Sequence, residues 1–387
     1  MRWGVKDKAS QRIEFVLRAA NGTCSFSQLC REYEISRPTG YLWLKRYREG
    51  NGQLMALVEK SRRPRRSPSK TNAAIETRVV ELRKEYGWGA KALQHVLERD
   101  EGIRLSRITV HRILDRNGEI RDEDRHRPAT TRFERTQPNE LWQMDFKGQF
   151  PMGSRQCFPL SVLDDHSRYL IALQALRGTG TDGVEQTLVR LFRNNGVPKE
   201  MLMDHGVPWW NAINGHGLTR LSIGLIQQGI QLRFSGIGHP QTQGKVERFH
   251  ETLERSVKHR NVWPEELDQW QDQFTKIRDI YNHKRPHEAL SMDVPASRYR
   301  PSTRSYQEHP KEWEYPTGSW IERLNNQGQW YWNGKYRFVC RALANQRVRI
   351  QELDQQLIVS YQHTWIRQLD PKTGRSTALV FPENTPV

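Results

Sequence analysis

Three stretches decide the fold of this chain, and each contains one acidic residue: Trp142-Gln143-Met144-Asp145-Phe146, Met201-Leu202-Met203-Asp204-His205-Gly206 and Gly244-Lys245-Val246-Glu247-Arg248-Phe249-His250. Asp145 and Asp204 each end a short apolar run, which predicts the end of a buried strand, and Glu247 lies early in a helical pattern. We expect the three carboxylates to meet at one edge of a sheet. They would repel one another there unless cations lie between them. The set therefore predicts divalent-metal and phosphate chemistry.

The pattern around these stretches predicts a mixed α/β core over residues 139–300. Three strands form a meander at its start, and helices then alternate with strands. Asp145 is then expected on the first, central strand and Asp204 at the end of the fourth, with Glu247 on the helix after the fifth. Asp164 and Asp165 form a second acidic pair in a predicted hairpin turn. Because Asp is favoured in turns for local hydrogen bonding, we expect a structural role for this pair.

Residues 1–60 are predicted to form a helix-turn-helix domain. Three helical patterns lie within residues 10–50, and the third, from Arg37 to Arg48, has a basic outer face. The last helix of such a motif enters the major groove of DNA, whereas a plain three-helix bundle is the alternative interpretation. The candidate DNA contacts on this helix are Arg37, Thr39, Tyr41, Lys45, Arg46 and Arg48.

A basic Arg/Pro segment, residues 61–71, follows this domain. Its prolines and arginines cannot form a core, so it is predicted to be an extended linker. It either lies along a minor groove or is a plain tether, and the two interpretations are compatible. The candidate contacts in it are Arg62, Arg63, Arg65 and Arg66.

Residues 72–118 repeat the helical pattern and predict a second helix-turn-helix domain. Ser106 can cap a helix from Arg107 to Arg116, and Asn117-Gly118 ends it. The candidate DNA contacts here are Arg107, Thr109 and Arg112. Residues 119–138 are polar and are predicted to be a connector.

Short, turn-bounded strands return near the end of the chain and predict a small β-barrel over residues 318–372. Asn333-Gly334 and Asp354-Gln355 are the candidate hairpin turns. Barrels of this size bind nucleic acid or proteins, and the sequence does not choose between these partners.

The composition is that of a soluble globular protein with a polyanion as partner. Hydrophobic residues make up 36% of the 387 residues and charged residues 27%, and neither a membrane span nor a signal peptide is evident. The four cysteines form no CxxC pair, which favours a reducing cytoplasm. The formal net charge is +17, and residues 1–70, with sixteen Lys or Arg and six Asp or Glu, carry more than half of the excess. A chain loaded with positive charge at one end is expected to bind nucleic acid.

With these motifs in view, the chain resembles the bacterial insertion-sequence transposases of the retroviral-integrase (DDE) superfamily. The resemblance covers residues 10–300 in order. Its most specific segments are residues 142–145, 163–168, 204–206, 239–248 and 281–290. Two features depart from the family pattern: 42 residues separate Asp204 from Glu247, several more than is usual, and the His–Cys zinc module of retroviral integrases is absent.

The resemblance implies a ribonuclease H-like catalytic core after helix-turn-helix modules, and Asp145, Asp204 and Glu247 match the metal-binding catalytic triad. It implies two Mg²⁺ or Mn²⁺ ions per site, which clamp the attacking and leaving oxygens of an in-line displacement. Lys245 and Arg248 flank Glu247 and are candidate phosphate contacts.

The expected partners are double-stranded DNA, both as terminal inverted repeats and as target, and a second copy of the chain, because two DNA ends must be joined. The expected location is the bacterial cytoplasm, at the nucleoid. Two alternatives remain at this point: a catalytically inactive DNA-binding regulator descended from a transposase, and a nuclease for RNA–DNA hybrids. Paired helix-turn-helix modules argue against the nuclease, because such modules bind the major groove of duplex DNA.

Overall fold

A computed structural model gives the structure of residues 8–22, 24–58, 71–120, 134–211, 217–235 and 244–379. The chain divides into two compact units, Met1–Thr71 and Asn72–Val387. No helix in the described part of the chain combines the length and the apolar character that crossing a bilayer requires.

The first unit contains the three predicted helices, α1 Lys8–Asn21, α2 Phe26–Glu32 and α3 Arg37–Glu49. The helix α3 begins where the hydroxyl of Ser36 accepts a hydrogen bond from the amide of Thr39, which satisfies one of the free N–H groups of the first turn. Gly40 lets α3 approach the core closely, because a Cβ there would lie 2.9 Å from the ring of Phe15. The core of this unit is small and is formed by apolar side chains from all three helices.

The second unit begins with three further helices, α4 Ala73–Tyr86, α5 Ala90–Glu101 and α6 Arg107–Arg116. Ser106 caps α6 as predicted, with the amide of Thr109 donating to its hydroxyl at 3.1 Å. These helices share an apolar cluster with Ile280, and the ring of His259 bonds the Lys84 carbonyl at 2.7 Å. The second helical domain therefore packs directly on the α/β core within the same unit.

The α/β core follows the predicted order of strands and helices. Its elements are β1 Leu141–Phe146, β2 Phe150–Met152, β3 Arg155–Asp164, β4 Leu170–Leu176, α7 Thr181–Asn195, β5 Glu200–Met203, β6 Trp210–Asn211, β7 Gly217–Leu218, α8 Arg220–Gln227, β8 Gln231–Phe234, α9 Gly244–Arg260 and α10 Leu267–Asp279. One turn of π-helix, Ile280–Lys284, extends α10.

The main sheet has the order β2-β3-β1-β5-β8, with β4 on the outer side of β3. The strand β1 is central, antiparallel to β3 and parallel to β5, and β5 is in turn parallel to β8. Since side chains alternate along a strand, β1 directs Trp142, Met144 and Phe146 to the face covered by α7 and α8. The neighbouring positions Gln143 and Asp145 therefore face α9 on the other side.

The free edge of β4 is covered by polar side chains from the helical segment 267–284. Gln271 accepts from the Ala175 amide at 2.9 Å and donates to the Leu173 carbonyl at 3.2 Å. Asn282 bonds both the amide and the carbonyl of Leu170, at 2.8 and 3.0 Å. Backbone groups at the sheet edge are thus satisfied by side chains instead of by another strand.

The end of the chain forms seven strands: β9 Trp320–Arg323, β10 Gln329–Trp332, β11 Lys335–Phe338, β12 Arg347–Leu353, β13 Gln356–Tyr361, β14 Thr364–Leu369 and β15 Ser376–Ala378. Both predicted hairpin turns are present, Asn333-Gly334 between β10 and β11 and Asp354-Gln355 between β12 and β13.

The predicted small β-barrel is not confirmed. Five of these strands form an open antiparallel sheet in the order β15-β14-β13-β12-β9, and β10 and β11 form a separate pair, so that no closed barrel is present among the described residues. The sheet shares its apolar core with the α8 side of the α/β core, and Gln227 donates to the hydroxyl of Tyr361 at 2.9 Å. Closure is unnecessary because the neighbouring core buries the inner face.

Candidate active site

Asp145 lies near the end of the central strand β1, on the face toward α9. The amide of Phe146 donates to its Oδ1 at 2.8 Å, and its Oδ2 lies 3.7 Å from Nδ1 of His250. The side chain is 19% exposed, enough to be reached from the edge of the sheet.

Asp204 follows β5 directly, as the apolar run Met201–Met203 predicted. Its Oδ1 accepts hydrogen bonds from the amide of Gly206 at 2.9 Å and from the indole of Trp209 at 2.7 Å. Gly206 is required by close packing, because a Cβ there would lie 2.8 Å from the same oxygen. Trp209 is itself held by stacking on Phe146, with ring centroids 5.7 Å apart. The loop therefore fixes Asp204 by one oxygen.

Glu247 lies in the first turn of α9 and is exposed. The buried side of α9 carries the predicted apolar stripe, which consists of Val246, Phe249, Leu253 and Val257. Glu247 thus lies beside the stripe on the solvent side of the helix.

The electrostatics of Asp145 connect it with the other two carboxylates. Burial, together with the charges of Asp204 and Glu247, raises the pKa of Asp145 to about 7. Such a shift means that the ionised form is disfavoured when only like charges are near. A divalent cation would reverse this preference, and three carboxylates are the oxygen donors that Mg²⁺ and Mn²⁺ prefer.

The three carboxylates do not form a closed set of metal ligands in this structure. Among the residues that the structure describes, no group of three or more His, Cys, Asp or Glu side chains is close enough to hold a metal ion. The donor chemistry of the three carboxylates fits a divalent cation.

His250 is a site residue that sequence reasoning missed. It is buried one turn after Glu247, and its Nε2 lies 3.1 Å from the hydroxyl of Ser161. Burial, with the charge of Lys147, lowers the pKa of His250 to about 3, so the ring is neutral beside Asp145. The spacing of three residues from Glu247 was the available signal, since residues i and i+3 share a helix face.

The acidic pair lies where β3 ends, with Asp164 as the last residue of the strand and Asp165 in the turn. Asp164 accepts from the amide and hydroxyl of Ser167 and from the amide of Asn139. Asp165 is fully buried and pairs with the ammonium of Lys245. Both carboxylates are therefore satisfied within the protein.

The two predicted DNA contacts on α9 lie in different surroundings. The structure places the Lys245 ammonium against Asp165, with 13% of the side chain exposed, so its observed partner is a carboxylate. Arg248 is exposed on α9. A phosphate contact by either residue stays a prediction.

The predicted contacts on the two recognition helices lie mostly on exposed surfaces. Arg37, Tyr41, Lys45 and Arg48 of α3, and Arg107 and Arg112 of α6, are exposed. Others serve the protein as well: the guanidinium of Arg46 lies 4.7 Å from the ring of Trp43, and Thr39 and Thr109 join the helix caps. Arg62, Arg63, Arg65 and Arg66 lie outside the described residues.

Comparison with known proteins gives matches over most of the chain. Models of a helix-turn-helix domain and a homeodomain-like domain match residues 11–65 and 39–114, and two models of the integrase core domain match residues 135–240 and 228–295.

Two bacterial relatives are encoded by mobile elements. The insertion element IS407 uncharacterized 31.7 kDa protein of Burkholderia multivorans is 25% identical over 236 residues, which cover 59% of this chain and 82% of that protein. The transposase for transposon Tn552 of Staphylococcus aureus is 28% identical over 142 residues, or 32% of this chain and 27% of that protein. The chain thus spans most of the first relative and about a quarter of the second.

Among solved structures, the HTLV-2 integrase catalytic core domain in complex with magnesium is similar at 13% identity and a TM-score of 0.32. The similarity covers 42% of this chain and 97% of that one. The domain matches and the relatives together support an insertion-sequence DDE transposase, a polynucleotidyl transferase with helix-turn-helix domains before the integrase core.

Proposed function

We propose that this transposase binds the terminal inverted repeats of its own mobile element and cuts and joins DNA at a site formed by Asp145, Asp204 and Glu247. The observation that supports this site best is the raised pKa of Asp145, which Asp204 and Glu247 increase from positions far apart in the sequence. Acidic groups whose charges raise one another's pKa in this way are candidates for a functional site.

The three carboxylates are proposed to hold two Mg²⁺ or Mn²⁺ ions. Such ions, when bound, supply charge stabilisation for the attacking and leaving oxygens of an in-line phosphoryl displacement. Asp145 and Asp204 suit this role because each has one oxygen that accepts hydrogen bonds from protein donors, which fixes the orientation of the carboxylate. Hydrogen-bond donors of this kind orient a carboxylate that holds a metal ion.

The reaction itself has two displacements at phosphorus. Water first attacks the phosphodiester at the element end, the P–O3′ bond breaks, and a free 3′-hydroxyl remains. This hydroxyl then attacks a target phosphodiester, so that a new P–O bond forms and the 3′-oxygen of the target strand departs. Neither step needs a covalent bond between protein and DNA, and therefore no Ser or Tyr nucleophile is required.

DNA recognition is proposed to come from the helices α3 and α6, whose exposed basic side chains would enter successive major grooves. The linker arginines at 62–66 would add phosphate or minor-groove contacts. Because two ends must be joined to one target, the active form is proposed to be at least a dimer on DNA. An inactive regulator is the alternative, and it is disfavoured because all three acidic residues are present.

A strand-transfer assay tests this proposal. It uses the full chain, duplexes with the terminal inverted repeats of the element, a plasmid target and either Mg²⁺ or EDTA. We expect joined products only with the metal, and none from a Glu247→Gln variant that still binds the duplex. Binding without any joining by the wild type would instead support the regulator.

A further inference from the structure

A buried side chain of β1, Gln143, is hydrogen-bonded to the first turn of α9. Gln143 and Asp145 lie two residues apart on β1 and face α9 together. The Oε1 of Gln143 accepts a hydrogen bond from the amide of Val246 at 3.3 Å. Val246 precedes Glu247, and its amide is one of the first N–H groups of α9, which have no partner within the helix.

The other end of the same side chain reaches the acidic turn. The Nε2 of Gln143 donates to Oδ1 of Asp165 at 2.9 Å, and Lys245 forms its ion pair with that same oxygen. The second oxygen, Oδ2, accepts from the amide of Arg135 at 2.9 Å. Gln143 and Asp165 are both fully buried, so water cannot replace these bonds.

Only an amide of this length satisfies both neighbours. Its carbonyl must accept from Val246, and its NH₂ must donate to Asp165, which fixes the orientation of the group. A Glu could not donate to Asp165, and a Met could make neither bond. Three contacts, Gln143 with Val246, Gln143 with Asp165 and Lys245 with Asp165, thus join β1, the acidic turn and the start of α9.

We propose that Gln143, together with the Asp165–Lys245 pair, is a positioning group that sets the separation of Asp145 and Glu247 for metal binding. This inference rests on the proposed function of the triad. Gln143 acts through the backbone of α9, because the bond to Val246 fixes the residue next to Glu247. The ion pair acts through the same helix turn, because Lys245 precedes Val246.

The chain offers a matched control in Gln271. This glutamine also bridges two partners, accepting at 2.9 Å and donating at 3.2 Å, but at the outer edge of β4. The variants Gln143→Met and Gln271→Met each remove one hydrogen bond accepted from a backbone amide and the hydrogen bonds that the side-chain NH₂ donates. Each full-length variant is titrated with Mn²⁺ without DNA, with binding followed by the loss of the free-ion paramagnetic resonance signal, and its thermal unfolding is recorded.

We expect Gln143→Met to weaken Mn²⁺ binding about tenfold, the lower end of the effect of a lost outer-shell partner, whereas Gln271→Met leaves it unchanged. Equal Mn²⁺ affinities for the two variants would overturn the proposal, even if both are less stable than the wild type. Should Gln143→Met fail to fold, Gln143→Asn takes its place, because the shorter amide keeps the polarity but cannot span both partners. Wild-type affinity in Gln143→Asn would likewise overturn the proposal.

The outcome is distinguishable from failure of the proposed function. The proposed function fails if the wild type binds Mn²⁺ but joins no DNA, and the positioning role is still tested by the titration. If Mn²⁺ affinity is lost in Asp145→Asn but kept in Gln143→Met, the triad stands and the positioning role of Gln143 is wrong.

Discussion

Two groups of acidic residues lie in the same α/β core, and the side chains and backbone groups around them differ. Asp164 and Asp165 are buried and are met by amides, a hydroxyl and the Lys245 ammonium. Asp145 is also largely buried but has one backbone donor, and two further carboxylates increase its pKa shift. Residue type alone therefore does not separate a structural acid from a functional one.

The difference lies in whether the protein itself neutralises the charge. A carboxylate that has a cation or several hydrogen-bond donors beside it within the protein is stable without a further ligand. The charge of a carboxylate that lies beside other carboxylates is neutralised only when a cation binds. This contrast yields four predictions, from the largest expected effect to the smallest.

Replacement of Asp145, Asp204 or Glu247 tests the acidic group that has no cation within the described part of the protein, and it has the largest expected effect. We expect Asp145→Asn, Asp204→Asn and Glu247→Gln each to reduce strand joining by at least about 10³-fold, the upper range for loss of one group that stabilises developing charge. Binding of the element end, measured by electrophoretic mobility shift, should be unchanged because the recognition helices are intact. Joining at the wild-type rate by any one variant would remove that residue from the triad.

Replacement of Asp165 tests the completed group. Asp165→Asn leaves the Lys245 ammonium without its carboxylate, and removing one member of a buried ion pair costs about 3 kcal/mol of unfolding free energy. Denaturant unfolding measures this loss. The exposed Asp272 is the control, since Asp272→Asn should change stability by less than about 0.5 kcal/mol. Similar losses in both variants would contradict the distinction between the two acidic groups.

Addition of a divalent metal should stabilise the protein through the triad alone. At a Mg²⁺ concentration a hundred times its dissociation constant, the stabilisation is about 2.7 kcal/mol. Thermal unfolding of the wild type should shift upward with Mg²⁺ and return with EDTA, whereas the Asp145→Asn variant should not respond. An identical shift in that variant would place the bound ion elsewhere.

Loss of the indole donor to Asp204 should have the smallest effect. Trp209→Phe keeps an aromatic ring to stack on Phe146 but removes the N–H that holds Oδ1. We expect joining to fall about tenfold, as when another hydrogen-bond donor that orients a metal-binding side chain is lost. Trp320→Phe is the matched control, because that indole donates to Glu322 in the C-terminal sheet at 2.8 Å. If the two variants join DNA equally well, the Trp209 bond does not orient Asp204.

Local patterns were sufficient to predict the elements that carry the triad. Apolar runs placed Asp145 on β1 and Asp204 after β5, and helical periodicity placed Glu247 beside the buried stripe of α9. The helix caps at Ser36 and Ser106 were equally visible, because a cap is a contact between residues three apart.

Contacts between distant residues were not predictable in the same way. The burial of Lys245 depends on Asp165, which lies eighty residues earlier and was identified only as part of a turn. The bond from Gln143 to Val246 joins a strand to a helix 103 residues later, and no local pattern encodes it. The prediction of a closed barrel was not confirmed for the same reason. The turn sequences specify hairpins, but they do not specify whether the first strand pairs with the last.

The polar cover on β4 limits how copies of this protein can associate. An uncovered sheet edge is a template onto which another chain adds a strand, and it leads to swapped dimers or fibrils. Here the Gln271 and Asn282 side chains already occupy backbone groups of the edge. A neighbouring copy would have to displace two amides before it could form a ladder. Copies of this chain are therefore expected to associate through surfaces other than this edge.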